Sequence, residues 1–265
     1  MVPQAPILNV VPASPLNLSA GAWRWIPPLS LPGDWQMAID DWLLDELVAG
    51  RSGPVVRLYR WSRPTLSLGW HQRRLEPHWF DLPAQAGIAL VRRPSGGRAV
   101  LHAGCLTYAL HWPDPPADRP LAYRQACAWL RRAFAALGQP LQPGAAAASA
   151  RRSSCFATST NADLVHGGGA KRVGSAQLWR RGRLLQHGSL LIDPPEPIWR
   201  LVFDQPPPSF DPLPLQGQAL EALLRQSAAQ HLCGGDLISR PLGIEELAEI
   251  EVRRRRYRWE GAGGA

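Results

Sequence analysis

A mixed α+β fold, with a mostly antiparallel sheet and flanking helices, is what this sequence predicts. Three observations carry that expectation. Extended stretches arrive in hairpin pairs, the few long helical stretches do not alternate strictly with them, and no internal repeat is present. With 265 residues, 45% of them hydrophobic, the chain can bury a substantial core. No run of about 18 apolar residues marks a membrane span. The first residues show no basic segment leading into a long apolar one. Cys105, Cys127, Cys155 and Cys233 form no CxxC pair and no zinc spacing, so no metal is expected, and reduced thiols in a cytoplasm are the default.

In chain order, residues 1–33 are rich in proline and small residues and read as an irregular arm. Residues 34–265 then read as one domain, with a core over 34–205 and a helical segment over 206–265. Asp34 is expected to cap a helix over 34–48, whose apolar stripe is Trp35, Ala38, Ile39, Trp42 and Leu43. Strands are expected over 55–60, from Pro64 onward through Leu66, Leu68 and Trp70, over 88–92, and through Leu106, Tyr108, Leu110 and Trp112. A helix over 121–137 stops at Gly138 and Pro140, and the alanine-rich stretch 141–154 reads as a mobile loop. Strands over 172–179 and 183–192 form a hairpin about Arg180-Arg181-Gly182, preceded by a short strand at 163–165. Prolines fill 194–214, and two helices, 217–231 and 244–256, close the reading.

The net charge of +8 invites a nucleic-acid reading. However, Arg253, Arg254, Arg255, Arg256 and Arg258 supply five of those charges, and no basic-aromatic binding motif is present. Nucleic acid is therefore set aside, and the tail is expected to be a solvated helix end able to help dock an acidic partner.

One residue stands out more than any other. Of 29 basic residues, Lys171 is the only lysine. A chain that otherwise writes arginine has kept one compact ammonium that can lose a proton when desolvated. Lys171 follows Gly167-Gly168-Gly169 and runs into Gly174-Ser175-Ala176-Gln177, so the backbone can approach closely on both sides. A second glycine-bearing segment, Arg92-Arg93-Pro94-Ser95-Gly96-Gly97-Arg98, lies between two extended pieces; its amides and guanidinium groups suit an anion or a carbonyl. Its spacing is neither that of a P-loop nor that of a dinucleotide fingerprint. A third, Gln186-His187-Gly188-Ser189, lies beyond Lys171; His187, His102 and His111 each carry little weight alone.

Taken together these segments resemble a known family. Arg92 to His102 resembles the Arg-Arg-x-Ser/Thr-Gly-Gly-x-Ala-Val-x-His signature of the lipoate–protein ligases and octanoyltransferases. Lys171 to Gln177 resembles its Lys-x-x-Gly-Ser-Ala-Gln segment, and Gln186 to Leu190 its His-Gly-Ser/Thr-Leu segment. Met37-Ala38-Ile39-Asp40 is similar to the opening helix, and the stretch from Trp61 to Gly69 to its Trp-x-x-Pro-Thr-Leu-Ser-Leu-Gly run. The matches follow the family's order over about 36–193. The chain departs from the pattern at Ala103, where an aspartate is usual, and around Cys155.

The resemblance implies the catalytic fold shared by biotin ligases and class II aminoacyl-tRNA synthetases. It also implies a site containing Arg92, Arg93, Ser95, Gly96, Gly97, Arg98, His102, Gly174, Ser175, Ala176, Gln177, His187 and Gly188. Arg98, in place of a third glycine, and Ser154-Cys155-Phe156 are similar to the octanoyltransferase branch whose nucleophile lies in the second half of the chain. That branch moves octanoate from octanoyl-acyl carrier protein to a lysine of a lipoyl domain, through a cysteine and with no cofactor. Here Cys155 would be the nucleophile and Lys171 its ammonium partner. The backbone at Gly174-Ser175 and Gly96-Gly97 would offer oxyanion donors. The alternatives are an ATP- and Mg-dependent lipoate ligase with Arg92, Arg93 and Lys171 facing phosphate, and a binding module without catalysis.

Overall fold

The computed structural model describes residues 22–144, 155–157, 162–235 and 237–259. The chain opens with β1 (Trp23–Leu31), α1 (Gly33–Val48), β2 (Val55–Trp61) and β3 (Thr65–Leu68). A short α2 (Leu82–Ala86) leads into β4 (Ala89–Arg92), β5 (Val100–His102) and β6 (Cys105–Trp112). After α3 (Arg119–Ala126) and α4 (Ala128–Ala136) come β7 (Gln142–Pro143), β8 (Leu164–Val165), β9 (Lys171–Arg180) and β10 (Arg183–Leu191). The last elements are α5 (Glu196–Phe203), α6 (Gly217–His231), β11 (Leu237–Ser239) and α7 (Ile244–Arg254). No helix among the described residues is long and apolar enough to cross a membrane.

Eight strands form one sheet in the order β11-β1-β2-β6-β10-β9-β8-β7; β1 runs parallel to both its neighbours, and the other joins are antiparallel. A smaller sheet, β4-β3-β5, has one parallel and one antiparallel join. The mixed, mostly antiparallel α+β architecture expected from the sequence is the one observed.

Side chains alternate across the pleat and thereby feed two cores. Leu190 of β10 and Tyr108 of β6 join Trp129, Leu130 and Phe134 of α4 with Leu220 and Leu224 of α6. Leu185 of the same strand β10 joins Ile39, Trp42 and Leu43 of α1 with Ile250 of α7. Each fully buried leucine or phenylalanine contributes about 1.5–3 kcal/mol. A third cluster joins Leu66, Leu90 and Leu101 of the small sheet to Phe156 and to Trp199 of α5. The functional segments meet where this third cluster abuts β9 and β10.

The structure corrects several expectations. Residues 23–31 are not an irregular arm: β1 buries Trp23 and Trp25 in the α4–α6 core and pairs along β2. Arg24 on the opposite face forks bidentately onto Glu246 at 2.6 and 2.7 Å, locking β1 to α7. Burial alone would raise the Glu246 carboxyl; Arg24 outweighs it and holds the group below its ordinary range. Asp34 is not the cap of α1, which starts one residue earlier with Pro32 at the cap; Asp34 lies in the first turn, where its carboxylate accepts from the Trp35 amide at 3.0 Å.

The helix expected over 121–137 is two helices broken at Cys127, with Asp118 accepting from the Leu121 amide to cap the first. Helix α5 lies inside the proline-rich 194–214 stretch, because Pro197 stands in its first turn, where the missing N–H costs nothing. The arginine tail is only partly solvated: Arg253 bonds Asp41 and Asp45, and Arg254 bonds Asp34 at 2.6 Å. Of the expected loop 141–154, residues 145–154 lie outside the described residues, while Gln142–Pro143 is the short strand β7. The β9–β10 hairpin turns as expected, with Arg181 and Gly182 both at positive φ (49° and 79°), the signature of a tight primed turn.

Candidate active site

The Arg92–Arg98 turn is held from inside. The buried Arg93 guanidinium donates to the carbonyls of Ser67 (2.9 Å), Gly96 (2.7 Å) and Arg98 (2.7 Å). Nη1 of Arg92 donates to the carbonyls of Gly69 (2.8 Å), Trp70 and Gln72 (3.2 Å each). Both arginines were expected to offer donors to an anion; Arg93 turns all three guanidinium nitrogens onto the protein and Arg92 turns Nη1 onto the loop backbone. Burial pushes the Arg93 guanidinium down to about 10, still charged at neutral pH. The loop is closed so tightly that a Cβ on Gly69 would stand 1.9 Å from the Gly97 carbonyl oxygen, so only glycine fits.

Opposite this turn, Cys155 begins a single 3₁₀ turn and its amide donates to the Ala99 carbonyl at 2.9 Å, fixing it beside the signature. Lys171, the first residue of β9, reaches it with Nζ at 2.8 Å from the Cys155 carbonyl oxygen and 3.3 Å from Sγ. The same ammonium pairs with Oδ1 of Asp163 at 3.0 Å and lies 5.0 Å over the Phe156 ring. Lys171 and Asp163 are both buried, whereas Cys155 is half-buried. Asp163 Oδ1 also accepts from the Ser175 amide at 3.4 Å. That N–H is thus turned toward Asp163, and the expectation that it serves as an oxyanion donor is corrected.

The third wall comes from β10. Its His187 bonds Asp40 of α1 through Nδ1 (2.9 Å) and Ser95 Oγ through Nε2. Asp40 also accepts from the Tyr59 hydroxyl at 3.0 Å and faces Nη1 of Arg57 at 3.7 Å. Burial would raise the Asp40 carboxyl, but Arg57 and the His187 bond outweigh it and hold it below its ordinary value. His102 bonds Ser67 Oγ at 2.9 Å and stacks on Trp61 with ring centroids 3.8 Å apart. Burial, then Arg93, push it well below the usual histidine range, so it is neutral.

Between these walls lie two joined clefts that share Gly97, Cys155, Ser175 and Ala176. One holds about 440 Å³, mouth included, and runs past His102, His187 and Gly188 to Met37, Tyr59, Trp61 and Thr107. The other, about 730 Å³ with its mouth, opens past Arg98, Tyr123, Asp163, Lys171 and Gln177. Of the residues expected at the site, Arg93, Gly96, Gly97, Arg98, His102, Cys155, Lys171, Gly174, Ser175, Ala176, Gln177, His187 and Gly188 line one cleft or both. Arg92 and Ser95 are not among the residues that line these two clefts. Sequence reasoning missed three residues in roles the structure gives them. Asp163 precedes the sole lysine by eight positions, a signal that could have been used. Asp40 interrupts the apolar face of α1. Tyr108, read as a core residue, points its hydroxyl at Ser175.

An ammonium thus stands beside a thiol where the two clefts meet. The chain belongs to the family of the lipoyl protein ligase A/B catalytic domain, whose model matches residues 32–206. It is 33% identical to an octanoyltransferase LipM of Geobacillus kaustophilus, over 86% of this chain and 82% of that protein. A LipM of Kyrpidia tusciae is 32% identical over 86% and 83% of the two chains. Among solved structures, the fold is similar to Ta0514 of T. acidophilum with bound lipoic acid (TM-score 0.72, 20% identity, covering 88% of this chain and 93% of that one). It is likewise similar to lipoate-protein ligase A bound with ATP (TM-score 0.70, 21% identity, covering 88% and 93%).

Proposed function

We propose that this chain is an octanoyltransferase of protein lipoylation, moving an octanoyl group from octanoyl-acyl carrier protein to a lysine of a lipoyl domain through a Cys155 thioester, without a nucleotide. The observation that carries the reading is the Lys171 ammonium 3.3 Å from Cys155 Sγ and 2.8 Å from the same residue's carbonyl oxygen. Relatives named octanoyltransferase LipM, at 32–33% identity over most of both chains, support it.

The chemistry balances with these groups alone. A Cys155 thiolate, paired with the Lys171 ammonium, attacks the thioester carbonyl. The carrier's thiolate leaves and takes a proton from Lys171, which becomes a neutral amine. When a neutral acceptor lysine attacks the Cys155 thioester, Lys171 takes back the proton released as the amide forms. Cys155 departs as the thiolate that began the cycle. Thioester exchange is nearly neutral in free energy and aminolysis of a thioester runs downhill, so no phosphate bond is required. The cleft running to Met37, Tyr59 and Trp61 supplies a slot for the alkyl chain, and the Lys171 side opens for the two protein partners.

The second reading, an ATP-dependent lipoate ligase, is favoured by the likeness of fold to ligase A. The inward use of the Arg92 and Arg93 donors weighs against their facing phosphate. The test is to incubate the purified chain with octanoyl-acyl carrier protein and measure its intact mass. A thioester-linked octanoyl increase is expected, absent in Cys155→Ser, with transfer falling on the order of 10³-fold or more. No adduct, together with ATP-dependent lipoyl transfer by Cys155→Ser, would hand the function to the ligase reading.

A further inference from the structure

A chain of five side chains crosses the sheet behind the site, and its direction follows from hydrogen-bond chemistry. It starts at Trp179, whose indole nitrogen can only donate. That nitrogen lies 3.0 Å from Gln177 Oε1, so the Gln177 atom facing it is the oxygen. The Gln177 amide nitrogen must then face Gln186, and it stands 2.7 Å from Gln186 Oε1. The Gln186 nitrogen in turn donates to the Tyr108 hydroxyl oxygen at 2.8 Å. Tyr108 already accepts one bond, and it stands 2.8 Å from Ser175 Oγ. A phenol keeps its proton at neutral pH, and Ser175 Oγ at 2.8 Å is a stronger and nearer acceptor than the Cys127 sulfur at 3.8 Å, so Tyr108 donates to Ser175. Ser175 Oγ thus receives a hydrogen bond, which leaves its own O–H to point elsewhere.

Two facts say where. Ser175 lines both clefts together with Cys155. Its backbone and the Lys171 ammonium are held by the same Asp163 oxygen, and that ammonium touches Cys155 Sγ. The competing acceptor for the Ser175 hydroxyl is the Cys127 sulfur, which is within hydrogen-bond reach of Ser175, 3.8 Å from the Tyr108 hydroxyl and 3.2 Å from the Gln186 amide nitrogen. A thiol sulfur is a weak acceptor, whereas the oxygen of a carbonyl under attack gathers a full negative charge. Gly188 keeps the chain assembled: a Cβ there would stand 2.5 Å from Tyr108 Cε1 and 2.8 Å from Ser175 Oγ.

We propose that the Ser175 hydroxyl is a catalytic donor to the acyl carbonyl oxygen, and that Tyr108, Gln186, Gln177 and Trp179 are positioning residues that aim it through a one-way hydrogen-bond chain. As Cys155 sulfur bonds to the carbonyl carbon, the carbonyl π pair moves onto oxygen. Ser175 donates a hydrogen bond to that oxygen and retains its proton; the pair returns as the carrier thiolate leaves. This inference rests on the transferase reading.

The experiment measures the rate at which octanoyl-acyl carrier protein acylates Cys155 in the full chain, following intact mass at millisecond to second delays. The wild-type chain is run first: no acylation there sinks the transferase reading. Ser175→Ala is expected to acylate about 10²-fold more slowly with KM little changed and the melting temperature close to wild type. Acylation within threefold of wild type would overturn the proposal. Tyr108→Phe is expected to lose about tenfold, and Tyr108→Phe/Ser175→Ala to be no slower than Ser175→Ala, because the tyrosine acts only through the serine. Additive losses would remove the chain from the mechanism. Should the phenylalanine variant melt early, Trp179→Phe at the half-exposed end of the chain replaces it. A few-fold loss that vanishes in the Ser175→Ala background is expected, and an equal loss in both backgrounds would overturn the relay.

Discussion

Two carboxylate–cation pairs sit within the same site region, and they are built differently. Asp163–Lys171 is close, at 3.0 Å, and its ammonium also touches the half-buried Cys155 at the wall of a cleft. Asp40–Arg57 is fully enclosed, and its facing atoms, Oδ1 and Nη1, stand 3.7 Å apart with no hydrogen bond to any group. The first pair sets its ammonium against a sulfur 3.3 Å away. The second has a guanidinium that stays charged and a carboxylate fixed by Tyr59 and His187. Chemistry and rigidity are thus assigned to separate pairs, and His187 with Ser95 carries the rigid pair's position to the signature turn.

The contrast can be broken most strongly at the enclosed pair. Asp40→Asn leaves Arg57 buried without its counter-charge and should cost about 3–5 kcal/mol in denaturant unfolding. Asp163→Asn should cost clearly less, because Lys171 still donates to the Cys155 carbonyl. Equal losses would erase the distinction. Next in size, Lys171→Arg keeps a positive charge near the sulfur but removes a group able to give up its proton. Acyl-enzyme should still accumulate, because the carrier thiolate can leave unprotonated and take its proton from water, while transfer to the acceptor lysine, which needs a base for the amine's proton, falls roughly 10²-fold in single-turnover assays. Loss of both steps together would deny the lysine its separate role.

The smallest effect is in pH dependence. Asp40 has a folded pKa below its unfolded value near 3.8, so its stabilisation is complete above that value and is lost as pH falls through the folded one. His111 donates from Nε2 to the Asp40 carbonyl at 2.9 Å, and burial pushes it from 6.5 down to about 4. It contributes fully above 6.5 and progressively less as pH falls from there through 4. The melting temperature should therefore decline in two stages on acidification, and His111→Gln should shrink the upper one. An unchanged upper stage would place its origin at the other lowered histidines, His102 and His166.

Much of this site was legible as residue types. A lone lysine among arginines, glycines flanking it and a cysteine upstream point to the corner that the structure assembles. Strands β9 and β10 were legible because apolar residues alternate on both sides of a tight turn. Partnership was harder to read. Asp40 and Asp163 look like ordinary acids until tertiary closure brings α1 under β10 and β8 beside β9. The arginines of the signature look like anion ligands, because nothing local says that Gly69, Gly96 and Arg98 will turn their carbonyls inward. Strand β1 was hidden by Pro27 and Pro28, which sit where its register along β2 shifts and no ladder bond is needed.

The solitary lysine has a further meaning for an enzyme that makes amides on lysine. A chain carrying an activated acyl thioester is its own nearest target, and any exposed side-chain amine would become a site of self-modification. Here every other basic side chain is an arginine, some buried and others at the surface, and guanidinium groups do not compete as acyl acceptors at neutral pH. The one side-chain amine that remains is buried and paired with Asp163, withdrawn from the surface on which stray acylation would occur.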